Sequence, residues 1–153
     1  MKNGEFPESL NAKVFWLLIG TNDLGGDHCS VESIVAGNIK IVEEIRRRRP
    51  KSKVVINSIL PRTEPIGVNL WGGISTRRRW SQIMQINARF ECYAASSEGG
   101  MVEFFNATEV FVEANGTKEV KEYYADIVHP SAAGHDAWAK SIVDRVLNII
   151  LEH

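Results

Sequence analysis

Two short stretches of this 153-residue chain combine side chains that can do chemistry. In Asp126-Ile127-Val128-His129-Pro130 a carboxylate stands three residues ahead of an imidazole. So placed, it can accept from one ring nitrogen, set the tautomer and leave the other nitrogen as a proton acceptor, which is the working arrangement of a general base. In Gly20-Thr21-Asn22-Asp23 the glycine permits a tight turn, and the Asn22 amide can donate hydrogens to an anion. Each stretch also has a plainer reading. Asn and Asp favour turns for local hydrogen-bonding reasons. A histidine before a proline can be an ordinary loop residue, with Ser131 capping the helix that follows.

The elements that must position these residues alternate between strand and helix. Val14 to Ile19 is a near-continuous β-branched and aromatic run ended by Gly20, the pattern of a strand covered on both faces. Apolar residues then recur at Val31, Ile34, Val35, Ile41, Val42 and Ile45, predicting a helix of roughly five turns that runs into Arg46 to Arg49 and stops at Pro50. Lys53 to Ile59 repeats the strand signature and halts before Pro61. Arg62 to Ser75, rich in Pro, Gly and Asn, is expected to be a long surface loop. Helical spacing resumes at Trp80, Ile83, Met84, Asn87, Phe90 and Ala94 and ends at Gly99-Gly100. Met101 to Phe105 is a third strand, Glu109 to Tyr123 a polar excursion, and Ala132 to Leu151 a closing amphipathic helix. Three parallel strands separated by helices make a layered α/β domain. In such sheets ligands bind where loops leave the carboxyl ends of the strands. The Gly20 to Asp23 stretch sits at such an end.

Taken in order, Gly20-Thr21-Asn22-Asp23 after a hydrophobic strand and Asp126-x-x-His129-Pro130 about a hundred residues later resemble two sequence blocks of the SGNH, or GDSL-type, esterases and lipases. Leu60-Pro61-Arg62 after the intervening strand is similar to the platelet-activating-factor acetylhydrolase branch of that family. The resemblance runs from Val14 to Leu151. It implies a three-layer flavodoxin-like fold with a parallel sheet, and hydrolysis of a small-molecule acyl ester through Ser-His-Asp with no cofactor and no metal. It implies that His129 is the general base, that Asp126 orients it, that Asn22 is an oxyanion donor, and that Gly20 and Thr21 shape the loop carrying Asn22.

One part of the family pattern is missing. The nucleophile belongs to a Gly-Asp-Ser block on a strand preceding the Val14 run, yet Gly-Asp occurs once, at Gly26-Asp27, and His28 follows it. A G-x-S-x-G elbow is absent too, since Gly73-Ile74-Ser75-Thr76 leads into Arg77. The expectation is that residues 1–153 form the carboxyl-terminal part of a single esterase domain, with 1–13 a polar lead-in and its first strands missing. Alone, the chain is then expected to be nearly inactive, and the unpaired edge of the Val14 strand to favour self-association. The alternative is a catalytically silent α/β module retained for binding or assembly.

Composition narrows the remaining choices. Eighteen Lys and Arg against nineteen Asp and Glu leave a formal charge of -1, which disfavours a nucleic-acid partner. The basic runs Arg46 to Arg49 and Arg77 to Arg79 are expected to be solvated. Two cysteines, Cys29 and Cys92, lack the spacing of a zinc site or a redox pair. The longest apolar run is far too short to span a bilayer. With no apolar leader before Val14, a cytoplasmic location is the default, and a secretory signal is compatible only with a longer chain.

Overall fold

A computed structural model describes residues 6, 7, 9–25, 29–68, 74–113 and 119–151. Strands β1 (Val14–Leu17), β2 (Lys53–Asn57) and β5 (Val102–Phe105) form a parallel sheet in the order β1-β2-β5. Val14 pairs with Lys53 and Val54 with Val102, so β2 is central. All five of its residues are buried. That burial on both faces is what its unbroken apolar run anticipates.

Side chains alternate across the sheet. Phe15, Leu17, Val54, Ile56, Val102 and Phe104 join the main core, which α2 (Val31–Arg48) and α3 (Trp80–Ser96) complete with Ile34, Val42, Ile45, Ile83, Ile86 and Phe90. On the other face, Trp16, Lys53, Asn57, Glu103 and Phe105 lie beneath α5 (Ala132–Leu151). Arg145 on α5 and Lys53 on β2 both pair with Glu103, tying helix to sheet through one carboxylate. The result is the expected three-layer arrangement, helices on both faces of a parallel sheet.

Helix ends follow local chemistry. Ser30 caps α2, its hydroxyl accepting from Ser33 N–H at 3.2 Å, and Arg46 to Arg48 occupy the last turn, where cations complement the helix carboxyl end. Ser131 does the same for α5, accepting from Gly134 N–H at 3.1 Å.

Three expectations need correction. The segment read as a loop from Arg62 to Ser75 contains β3 (Thr63–Val68) and the start of β4 (Ile74–Arg78), an antiparallel pair separate from the main sheet. Pro65 and Gly67 obscured the strand signal, and the register shifts at that point, which is where a ladder tolerates proline. Within Glu109 to Tyr123 there is local order: α4 (Thr108–Phe111), a bridge between Val112 and Glu119, and a 3-10 turn at Lys121–Tyr123. Arg79 is not solvated but 2% exposed, because it opens α3 where its N–H meets the Arg62 carbonyl and its guanidinium meets Gln82. Trp71, Gly72 and Gly73 lie outside the described residues, as do Asp27 and His28. Cys29 and Cys92 are free thiols.

Among the described residues β1 has a strand partner on one side only, and no helix is long and apolar enough to cross a membrane. Helix α5 passes close to the 3-10 turn at Gly134, where a Cβ would come within 2.2 Å of the Tyr123 carbonyl oxygen. A backbone atom cannot yield as a side chain does. Gly134→Ala is expected to cost about 1–3 kcal/mol by overpacking, read as a lower urea midpoint with an unchanged slope.

Candidate active site

Gly20 follows β1 with φ 115°, a left-handed conformation that side-chain-bearing residues rarely adopt. Space also demands glycine, since a Cβ there would fall 2.8 Å from Ile34 Cγ2. The reversal launches α1 (Thr21–Leu24), closed by Leu24 N–H donating to the Gly20 carbonyl at 3.1 Å. Leu24 is driven into the core and Asn22 is left exposed at the sheet's carboxyl edge.

The second loop is closed by its own backbone. Tyr124 and Pro130 form an antiparallel bridge, Ala125 N–H donates to the His129 carbonyl at 2.8 Å, and Ser131 N–H to the Tyr123 carbonyl at 2.8 Å. Inside it, Asp126 Oδ1 accepts from the N–H groups of both Val128 and His129 at 2.7 Å, leaving Oδ2 to meet His129 Nδ1 at 2.8 Å. The His129 backbone N–H, its ring and then the Val128 N–H hold the Asp126 carboxyl well below its ordinary range, at about 2. At neutral pH the carboxylate is therefore ionised and can only accept, so Nδ1 carries the proton and, in the neutral ring, Nε2 is the basic nitrogen. Both side chains are open to solvent, 75% for His129 and 53% for Asp126.

Beneath the loop lies an aromatic cluster around fully buried Phe111, with Tyr123, Tyr124 and Trp138 at ring-centroid distances of 6.2, 5.5 and 6.0 Å. Burial pushes the Tyr124 hydroxyl above its usual range, so it remains a donor, to the Pro61 carbonyl at 3.0 Å.

The two loops meet across a cleft of about 210 Å³ lined by Leu18, Thr21, Asn22, Leu60, Val128, His129, Pro130 and Trp138. Thr21, Asn22 and His129 thus share one cavity. Gly20 lies buried at the start of the turn, and Asp126 faces away, into a separate depression with Thr63, Glu119 and Tyr124. Sequence reasoning missed the apolar walls Leu18, Leu60 and Trp138. For Trp138 there was a signal: an aromatic on the sheet-facing side of the helix that begins just after His129. The arrangement suits proton transfer at Nε2 beside an amide donor, in a cleft whose walls are largely apolar. Among the described residues no group of three or more His, Cys, Asp and Glu could hold a metal ion.

Known proteins resemble this chain in sequence and fold. The alpha1 subunit of platelet-activating factor acetylhydrolase IB from Bos taurus is 24% identical over 153 residues, covering 99% of this chain and 58% of the bovine protein. A structure from Streptococcus pneumonia, provisionally described as a platelet activating factor, is 28% identical with a TM-score of 0.70, over 87% of this chain and 59% of that one. A carbohydrate esterase family 3 protein from Talaromyces cellulolyticus shares the fold, with a TM-score of 0.68 at 17% identity, over 92% of this chain and 60% of its own. The chain spans 58% of the length of the curated relatives it matches. Residues 3–137 match the GDSL-like Lipase/Acylhydrolase family model, a stretch that takes in both loops and all three strands of the parallel sheet. On that extent the chain belongs to the GDSL-like lipase/acylhydrolase family, hydrolases of the serine esterase and lipase type.

Proposed function

We propose that this chain carries the base, its orienting carboxylate and one oxyanion donor of an acyl-ester hydrolase site. The observation that carries the reading is the Asp126–His129 pair, a 2.8 Å contact whose carboxylate is fixed by two backbone N–H groups. In the proposed reaction, Nε2 of His129 takes the proton of a serine hydroxyl as that oxygen attacks the ester carbonyl. Asp126 stabilises the imidazolium, and the Asn22 amide donates to the oxygen that gains negative charge. Protonation of the alkoxide leaving group by His129 releases the alcohol. Water then repeats the sequence on the acyl-enzyme and frees the acid. Gly20 and Thr21 set the turn that carries Asn22. No residue of this sequence is assigned the nucleophile, because no Gly-Asp-Ser block occurs in it.

Alone, the 153-residue chain is expected to hydrolyse p-nitrophenyl acetate at close to the buffer rate. Turnover well beyond one equivalent, abolished by His129→Ala, would overturn that part of the proposal. In a longer polypeptide that supplies the serine, His129→Ala should lower kcat by about a millionfold and Asp126→Ala by about ten-thousandfold. Asn22→Ala should lower it on the order of a hundredfold or more. A loss under tenfold for His129→Ala would remove it from the base role.

The pH dependence follows from the sign of the Asp126 shift. A carboxyl whose folded value lies below its unfolded value, about 3.9, stabilises the fold above that value. The contribution fades as pH falls from there through about 2. Carbon-13 titration of the Asp126 carboxyl should give a midpoint near 2, rising only part of the way toward the ordinary range in His129→Ala, which removes the ring but keeps both backbone donors. An unshifted midpoint in the unaltered chain would mean that the pair does not form.

We further propose that the chain self-associates through the edge of β1. Two features support this. Among the described residues one edge of β1 is unpaired and offers N–H and C=O groups to a second copy, and α5 carries the exposed apolar positions Val143, Leu147 and Ile150. Sedimentation equilibrium should show a concentration-dependent dimer that Val143→Glu with Leu147→Glu weakens. A monomer at high concentration would exclude it.

A further inference from the structure

The segment leaving β2 touches both loops of the cleft. Leu60 lines the cavity. The Pro61 carbonyl accepts from the Tyr124 hydroxyl at 3.0 Å, and Thr63 N–H donates to the Ile127 carbonyl at 2.9 Å, so the residues on either side of Arg62 hold the loop of Asp126 and His129. Arg62 reaches the other way. Its Nη1 donates to the Thr21 carbonyl at 2.7 Å and approaches Thr21 Oγ1 at 3.4 Å, while its own carbonyl accepts from Arg79 N–H at the start of α3.

We propose that Arg62 is a positioning residue of the cleft: its guanidinium pins the Thr21 carbonyl and so fixes the turn that sets Asn22 opposite His129. The inference rests on the role proposed for Asn22. Three observations carry it. The turn is only four residues long, so its own hydrogen bonds constrain it little. A hydrogen bond from a charged guanidinium to a carbonyl is stronger than one between neutral groups. The turn also makes room for the clamp, because a Cβ on Gly25, just after α1, would lie 3.3 Å from Arg62 Nη2. Gly25 has φ -66°, which any residue adopts, so what its lack of a side chain provides there is space for the guanidinium. Through one four-residue segment the two halves of the cleft are therefore held at a fixed separation, although they are far apart in sequence.

The test compares the unaltered chain with Arg62→Ala, Arg62→Lys and Gly25→Ala by NMR. Two readouts are used: amide exchange at Leu24, whose N–H closes the turn, and the response of the Asn22 side-chain amide to added acetate. Arg62→Ala is expected to speed Leu24 exchange at least tenfold and weaken the acetate response at Asn22 about tenfold, with β2 amides and the Asp126 carboxyl signal unmoved. Arg62→Lys, which keeps the charge but loses the fork, should restore part of both. Millimolar guanidinium should restore part of the acetate response in Arg62→Ala, which a purely packing role would not allow. Gly25→Ala should move both readouts in the same direction by a smaller factor, without altering Arg62 itself. Unchanged Leu24 exchange in Arg62→Ala, or acceleration spread evenly over β2 and β5, would overturn the proposal. Absence of any acetate response in the unaltered chain would instead count against Asn22 as an anion donor, and Leu24 exchange would still decide whether Arg62 holds the turn.

Discussion

The second face of the sheet depends on one amide oxygen. Oδ1 of Asn57, at the carboxyl end of the central strand, accepts from the indole of Trp16 on β1 at 3.1 Å and from the indole of Trp138 on α5 at 3.2 Å. Its Nδ2 donates to the Ser58 carbonyl at 2.7 Å. A buried indole N–H without an acceptor is costly, and so is a buried amide without partners. Both indoles therefore depend on the one Asn57 oxygen. Strand β1, strand β2 and the closing helix are locked at the end of the sheet where the cleft opens, and Trp138 is at once part of that lock and a wall of the cavity.

Polar burial continues along the chain after Asn57, where Ser58 N–H makes the last backbone bond to β5, to the Phe105 carbonyl at 2.9 Å, and the backbone is still inside the protein. Ser58 and Thr108 meet side chain to side chain at 3.2 Å, and Thr108 N–H donates to Ser58 Oγ at 3.1 Å. Asn87 on α3 offers its oxygen to Ile59 N–H at 2.8 Å and its NH₂ to the Ile59 carbonyl at 3.0 Å, acting as a substitute strand. Such a fully partnered buried network specifies one arrangement, since any slip leaves groups unpaired. It delivers Leu60 to Thr63 to the cleft along a single path. The smaller aromatic core around Phe111 then supports the Asp126–His129 loop from below.

Most of the framework could be read from apolar spacing. The Val14, Lys53 and Met101 runs were strands, the Val31 and Trp80 periodicities were helices, and the closing helix spans Ala132–Leu151 as expected. Motif and spacing also found the residues that face one another in the cleft, Thr21, Asn22 and His129, and the Asp126 contact behind them. What escaped were features whose reason is a partner distant in sequence. Asn57, Asn87 and Thr108 are buried polar residues whose hydrogen-bond partners, Trp16 and Trp138, Ile59, and Ser58, lie on other elements, so apolar spacing could not name those partners. Met84 follows the helical spacing yet is exposed, because the buried face of α3 runs through Ile83, Ile86, Asn87 and Phe90. The β3–β4 pair was hidden by Pro65 and Gly67, residues that suppress a strand signal but are accommodated at an irregular register.

The Asp126–His129 pair closes over three residues, whereas the facing wall at Thr21 and Asn22 is more than a hundred residues away along the chain. Closing so short a loop costs little chain entropy, while joining the two walls requires nearly the whole domain to be in place. The Asp126–His129 contact is therefore local, while the cavity requires the assembled domain. Contact and cavity thus differ in what they require: the first needs little beyond its own loop, the second needs β1, β2 and the closing helix brought together.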